Sequence, residues 1–219
     1  MRRLVVNADD LGLTEGVNLG IIEAHAGGVL TSASLMVDTP GAEHGAAMAR
    51  EHPALSVGLH FLDDGPDLDQ PGRAEREFTR QLARFRELMR SDPTHIDSHH
   101  HVHFTRFRTF GPLVAPLGVP LRGDGRVRYI GDYYAHPQPG AVDHDRIGAA
   151  FLLALLEAEA TEEFSEVGCH PGRVTEELRS SYGPERELEL ATLTEPGLRE
   201  RIEALGLTLA SYHAYPQPG

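Results

Sequence analysis

Asp9 and Asp10 stand side by side in "VNADDLG", and imidazoles gather further along the chain. His60 lies in "VGLHF", five histidines lie in "HIDSHHHVH" between His95 and His103, and His170 lies in "CHPG". Carboxylates and imidazoles are the donors that hold a divalent cation while leaving a position open to water. They are also side chains that move protons near neutral pH. The chemistry they suit is metal-assisted hydrolysis. In the aspartate pair, one carboxylate would bind metal and its neighbour would act as general base. A turn or a helix-entry cap is the competing account, because aspartate is common at both.

The histidines of the run cannot all serve one ion. In an extended strand Asp97, His99, His101 and His103 share one face, and Ser98, His100 and Val102 take the other. One or two ligands are expected there, with the rest contacting substrate or backing the ligands. Asp97 is placed to orient a metal-bound imidazole. His60 alone reads as a hydrogen-bonded core residue and gains a metal role only with partners. Asp63 and Asp64 after it read as a loop turn. His170 follows a strand directly, and Pro171-Gly172 fix a tight turn that holds its ring. Cys169 is expected to be a small buried residue, since adjacent strand residues point apart and a Cys–His dyad needs contact.

The elements that must position these groups alternate along the chain. Strands are predicted at 4–7, 29–37, 55–61, 95–99, 119–122, 165–170 and 207–212. Helices are predicted at 14–28, capped by Thr14, at 41–52 and at 73–90, where Phe78, Leu82, Phe85 and Leu88 recur at helical spacing. A Pro-interrupted helix follows in "FRTFGPLVAPLG", then a strong helix at 143–160, and "EPGLRERIEALG" leads into the last strand. Strand–helix alternation with short connections implies a parallel sheet in one domain spanning 1–219. Some seven strands favour a (β/α) barrel over an open sheet. Asp9-Asp10, His60, His99 and His170 all fall at or just past C-terminal strand ends, where parallel α/β folds place their sites. "PQPG", at 137–140 and again at 216–219, reads as a turn or an extended end.

Composition removes other classes. The net charge of −13 argues against a nucleic-acid backbone or a bilayer surface as partner. All 20 basic residues are arginine, which excludes Schiff-base and P-loop lysines. One cysteine allows no intrachain disulfide and no thiolate zinc cluster. No apolar run reaches the roughly 18 residues a membrane span needs. The start "MRRLVVNADD" has no secretory apolar region, so a cytoplasmic location is expected.

"VNADDLG", "TSASLMV", "GLHF", "HIDSHHHVH", "LR" and "CHPG" occur in the order found in the YdjC-like carbohydrate deacetylases, which include the chitooligosaccharide deacetylase. The C-terminal "RELELATLTEPGLRERIEALGLTLASY" also resembles that family, so the likeness covers nearly the whole chain. It implies a (β/α) barrel-like α/β fold, a seven-stranded distorted TIM-type barrel. It implies hydrolysis of an N-acetyl group from an amino sugar or short chitooligosaccharide, with one divalent metal, assigned as magnesium. Carried onto this chain, Asp10, His60 and His99 would be the ligands and Asp9 the base. His170 would be the acid, by analogy with polysaccharide deacetylases that use an aspartate–histidine pair. Arg122 would hold a sugar oxygen, an acetate product or the catalytic carboxylate, and His101 and His103 would contact substrate. Two imidazoles favour zinc, cobalt or nickel over magnesium by intrinsic affinity, so zinc stays beside magnesium. The stretch from His60 to His95 is shorter than in the chitooligosaccharide enzymes, and the chain has no tryptophan. Sugar stacking would therefore fall to Tyr, Phe or His. Small barrels of this type often pair, which leaves a homodimer open.

Two other classes fit some of these residues. A barrel phosphoesterase would need two metals and more ligands. A non-enzymatic metal buffer accounts for the histidines but not for the convergence of Asp9-Asp10, His60 and His170.

Overall fold

The computed structural model describes residues 1–63, 70 and 72–216. Its strands are β1 (Arg2–Leu11), β2 (Ser32–Leu35), β3 (Ser56–Phe61), β4 (Ile96–Ser98), β5 (Arg128–Ile130), β6 (Phe164–Cys169) and β7 (Leu207–Leu209). Between them lie α1 (Glu15–Gly27), α2 (Ala42–Glu51), α3 (Arg73–Met89), α4 (Val102–Thr105), α5 (Phe107–Val114), α6 (Ala149–Glu159), α7 (Pro184–Leu193) and α8 (Leu198–Ala204). Every strand pairing is parallel, in the order β4-β3-β2-β1-β6-β5. The seventh strand pairs with β1, at Arg2–Leu4, below the point where β2 takes over that edge at Asn7.

Alternation along the strands separates two faces. Leu4, Val6 and Ala8 of β1 join the main apolar core with residues of the helices. Asn7 and Asp9 face inward, bonded to each other, and Val5 packs below them against Val127, Phe164 and Tyr212. The concave face is largely polar. Ser34 of β2, His60 of β3, Asp97 of β4 and Glu166 of β6 are all buried there and hydrogen-bonded.

The barrel expected from the sequence is present only in part. Among the described residues β4 and β5 do not pair, so the ring stays open. The segment predicted as a strand at 119–122 makes a single bridge, Ile96 to Leu121. Pro120 has no N–H to give a ladder, and Asp124 turns back to accept from the Leu121 N–H at 2.9 Å. Arg122 then spans the seam. Its guanidinium contacts Asp97 of β4 at one edge and lies 4.7 Å from the Tyr129 ring centre of β5 at the other. The sheet therefore curls around one side chain.

Other boundaries follow local chemistry. Thr14 caps α1, its hydroxyl accepting from Val17 N–H at 3.2 Å. The helix predicted at 143–160 breaks at Gly148, which is extended, leaving a short 3-10 turn before α6. The first strand runs to Leu11, further than predicted, because its polar residues find partners inside the sheet. β5 was not predicted, and its three residues offer too little alternation to read. α7 was not assigned either, although Gly183-Pro184 and two glutamates in its first turn are start signals. Asp63 pairs with Arg73, whereas Asp64 and the last three residues of the second "PQPG" lie outside the described residues. No described helix is long and apolar enough to cross a membrane.

Candidate active site

The mouth at the C-terminal end of the strands is a cleft of about 590 Å³. Asp9, Asp10, His60, His99, His101 and His170 all line it. A cavity of similar size, about 600 Å³, opens between Phe104, Phe164 and Tyr215 and holds none of these groups.

Asp9 and Asp10 reach the same mouth because the backbone turns between them. Asp9 keeps the inward face of β1. Asp10 has φ +69, the left-handed region, which aspartate tolerates better than most residues. Its carboxylate therefore swings back toward the cleft rather than into the helical layer.

Three donors converge beside it. Asp10 Oδ1 lies 3.1 Å from His99 Nδ1 and 3.5 Å from His60 Nε2. Ligands held about 2.0–2.2 Å from one ion stand roughly 3.0–3.5 Å apart in common polyhedra, so the set has the spacing of a cation site. The opposite nitrogen of His60 meets Asp97 Oδ1 at 2.8 Å, which fixes the ring with Nε2 toward Asp10. Asp97 thus orients His60, a strand away, rather than a neighbour in its own run. Burial alone would lower His60, but Asp97 and Asp10 outweigh it and push the ring up to about 10. Burial would likewise raise Asp10. Bonds to His60 and His99 and the Arg186 charge hold it well below the usual carboxylate range. The pocket thus concentrates negative charge where a proton or a cation must sit.

Asp9 is held separately. Arg122 donates to Asp9 Oδ1 and Oδ2 at 2.7 and 2.8 Å, to Glu166 Oε1 at 2.6 and 3.0 Å, and contacts Asp97 Oδ2 at 2.7 Å. Burial raises Asp9, and the Arg122 charge overrides it, leaving the carboxyl below its ordinary range. Arg122 is 2% exposed and does not line the cleft. Of the contacts expected for it, the structure shows the one with the carboxylate. A sugar or acetate contact does not fit a side chain sealed inside the sheet.

The histidine run also departs from expectation. β4 ends at Ser98, and His99–His101 form a 3-10 turn in which His100 and His101 have φ +51 and +53. Strand alternation therefore stops before the run does. His101 reaches the cleft, its Nε2 3.4 Å from Tyr129 Oη. His103 is fully buried, with Nδ1 2.5 Å from Ser98 Oγ, behind the turn and away from the cleft wall. A direct substrate contact for His103 is not compatible with that position.

His170 stands across the cleft, its Nε2 4.0 Å from Asp9 Oδ2. Its backbone N–H donates to Glu189 Oε2 at 2.5 Å, and its ring packs against Tyr134 and Tyr182. Burial pushes it down to about 4, so it is neutral at pH 7 in the free chain, below the 6.5 expected from an unperturbed ring. Cys169 is buried, and its thiol donates to the Asn7 carbonyl at 3.1 Å, as a small core residue would.

Four contributors were missed by sequence reasoning. Glu166 and Tyr212 complete the Arg122 cluster, with Tyr212 Oη donating to Glu166 at 2.6 Å. Arg186 and Glu189, on one side of α7, reach Asp10 and the His170 backbone. The signal for Glu166 was a charge in the middle of an apolar strand. Arg186 and Glu189, three apart in a helix, gave only ordinary amphipathic spacing.

A sequence model of the family described as YdjC-like protein matches residues 3–73 and 67–204. The chain is 35% identical over 252 aligned positions to a carbohydrate deacetylase of Geobacillus stearothermophilus, covering 98% of each. It is 36% identical to a chitooligosaccharide deacetylase of Enterobacter sp. (strain 638), covering 95% of this chain and 97% of that one. A crystal structure from Enterococcus faecalis V583, described as that of a candidate cellobiose-phosphate cleavage protein, superposes with TM-score 0.81 at 27% identity. That match covers 97% of this chain and 98% of the other.

Proposed function

The chain belongs to the YdjC-like family, and on that premise we propose that it is a carbohydrate deacetylase dependent on one divalent cation. It removes the N-acetyl group of an amino sugar or a short chitooligosaccharide by attack of water on the acetamide carbonyl. The observation that carries this reading is the meeting of Asp10, His60 and His99 donor atoms beside a carboxylate, Asp9, that Arg122 holds apart.

Asp10, His60 and His99 would hold the cation, and Asp97 keeps His60 turned toward it. Such an ion, when bound, polarises the acyl oxygen and acidifies water. Two imidazoles and one carboxylate favour zinc, cobalt or nickel over magnesium.

The chain's own groups supply the rest. Asp9, ionised and fixed by Arg122, takes the proton of the attacking water. His170 starts neutral and stands 4.0 Å from Asp9. That proximity suits it to receive a proton within the cycle and pass it to the departing amine, which leaves poorly unless protonated. Tyr134, stacked 4.5 Å from Tyr182 on the cleft wall, supplies an aromatic face for a sugar ring in a chain without tryptophan. His101 also lines the cleft.

The phosphoesterase alternative needs a second ion. The other acidic and imidazole group, Asp9, His60 and Asp97, has the Arg122 guanidinium against both aspartates. Among the described residues that leaves one group open to a cation.

The test is acetate release from N-acetylglucosamine, diacetylchitobiose and longer oligomers, with zinc, cobalt, magnesium or chelator. Release that chelator abolishes is expected. No release from any N-acetyl sugar with any of the metals removes the proposal.

A further inference from the structure

Arg186 belongs to none of the motifs that pointed to the site, yet it touches the centre of it. It is 2% exposed and sits in the first turns of α7. Its Nη2 donates to Asp10 Oδ2 at 2.6 Å, and its Nε donates to the Tyr182 carbonyl at 3.0 Å. The stem is confined as well. Gly172 donates its N–H to the Arg186 carbonyl at 3.1 Å, and a Cβ on Gly172 would come within 3.3 Å of Arg186 Cδ. The guanidinium has little freedom to swing away.

The Asp10 carboxylate is thereby divided. Oδ2 belongs to Arg186, while Oδ1 faces His99 Nδ1 and His60 Nε2. Magnesium and calcium are hard cations that take six or more ligands, mostly oxygens. Ions that bind imidazole well settle for fewer ligands, with nitrogen among them. A carboxylate with one oxygen already committed suits the second group and handicaps the first.

We propose that Arg186 is a positioning residue that leaves Asp10 a single oxygen to offer, and so biases the site toward an imidazole-binding transition-metal ion over magnesium. The inference rests on the cation site proposed above and adds to it a cause for metal choice. Arginine is required rather than any cation, because one planar group must reach both the Tyr182 carbonyl and Asp10.

The experiment titrates the metal-free full chain with zinc and with magnesium, by calorimetry and by competition with a chromophoric chelator. Wild type is compared with Arg186→Gln and Arg186→Lys, with near-ultraviolet circular dichroism reporting packing. Loss of such a supporting contact typically weakens metal binding about 10–100-fold. Zinc affinity is expected to fall by about that factor in Arg186→Gln, magnesium by less, so that their ratio narrows. The cobalt(II) visible band should weaken as Asp10 offers both oxygens and coordination rises. An unchanged ratio and an unchanged cobalt band in a packed variant overturn the proposal. If neither variant packs, Gly172→Ala, which keeps Arg186 but crowds its stem, should narrow the ratio in the same direction by a smaller factor. An unchanged ratio there also overturns it. If the wild-type chain binds no divalent cation, the proposed function falls together with this inference. Binding without the shift in preference removes this inference alone.

Discussion

Arg122 holds both oxygens of Asp9 in a two-pronged contact of 2.7 and 2.8 Å, with neither residue more than 2% exposed. The same guanidinium meets Glu166 and Asp97. Three buried carboxylates thus share one arginine, and His60 adds a second positive charge against Asp97. Arg122→Ala would leave three buried carboxylates without the cation they share. Breaking such a cluster from one side costs roughly 3–5 kcal/mol. Urea denaturation should show a loss of about that size or a chain that does not fold. A loss under about 1 kcal/mol would mean the cluster is neutralised some other way. Arg122→Lys should also be damaging, since an ammonium cannot reproduce the fork.

Asp9 and Asp10 are adjacent in sequence and separate in partners. Asp9→Asn should lower acetate release by about 10²–10⁴, the usual contribution of a positioned base. Zinc affinity should stay within a few-fold of wild type, because Asp9 is not among the three converging donors. Asp10→Asn or His60→Gln should lose the metal itself. Metal binding lost equally in Asp9→Asn would show that the two carboxylates act as one unit.

Acid should weaken the metal-free fold well above the range where carboxylates protonate. Burial pushes His95 down to about 4 and His103 to about 3, and His101 and His170 to about 4. Unfolded, these rings titrate near 6.5, so between 6.5 and 4 the unfolded chain binds more protons and stability falls with pH. Glu189 acts in the opposite sense. Burial raises it to about 7, so its folded form gains protons first and adds stability as pH falls from 7 toward 4.5. His60, raised to about 10, gives a contribution already nearly complete at 6.5. Burial also raises Glu166, which acts with Glu189, and lowers His213, which acts with the other rings, so five histidines outweigh two glutamates. The urea midpoint should therefore drop between pH 6.5 and 5, and a level or rising midpoint would count against the buried neutral rings.

Gly58 makes room for a ring. A Cβ at that position would lie 2.5 Å from His95 Cε1. The ring is pinned on its other side, stacked 4.1 Å from Tyr212. Gly58→Ala should cost roughly 1–3 kcal/mol by overpacking, read as a lower melting temperature. Gly27→Ala is the control, since nothing stands within 4 Å of its Cβ position.

What was legible in the sequence was local or repeated. Thr14 could be read as a cap because the bond it makes is three residues long. The pattern around Phe78, Leu82 and Phe85 announced α3 because one helix face is buried along its length. Asp9-Asp10, His60, His99 and His170 could be grouped because strand ends in a parallel sheet share a mouth, while the choice of Asp10, His60 and His99 among them followed from the family resemblance. The rest depended on contacts with no local trace. A left-handed turn through His100 and His101 carries no glycine to mark it. The burial of Arg122 depends on carboxylates from three strands meeting around it. Asp97 was expected to orient a metal-bound imidazole, and the ring it hydrogen-bonds, His60, comes from the neighbouring strand.

The distance between Asp10 and Arg186 along the chain, 176 residues, gives their contact a place in time. During synthesis the first strand emerges with Asp10 long before α7 exists. A nascent chain on which Asp10, His60 and His99 had already gathered would still lack the helix carrying Arg186. Such a chain would hold metal ions without the discrimination proposed for the finished fold. A ribosome-bound or truncated chain ending before Pro184 is thus expected to be the least selective form of the protein, and selectivity should arrive only when its last helices dock.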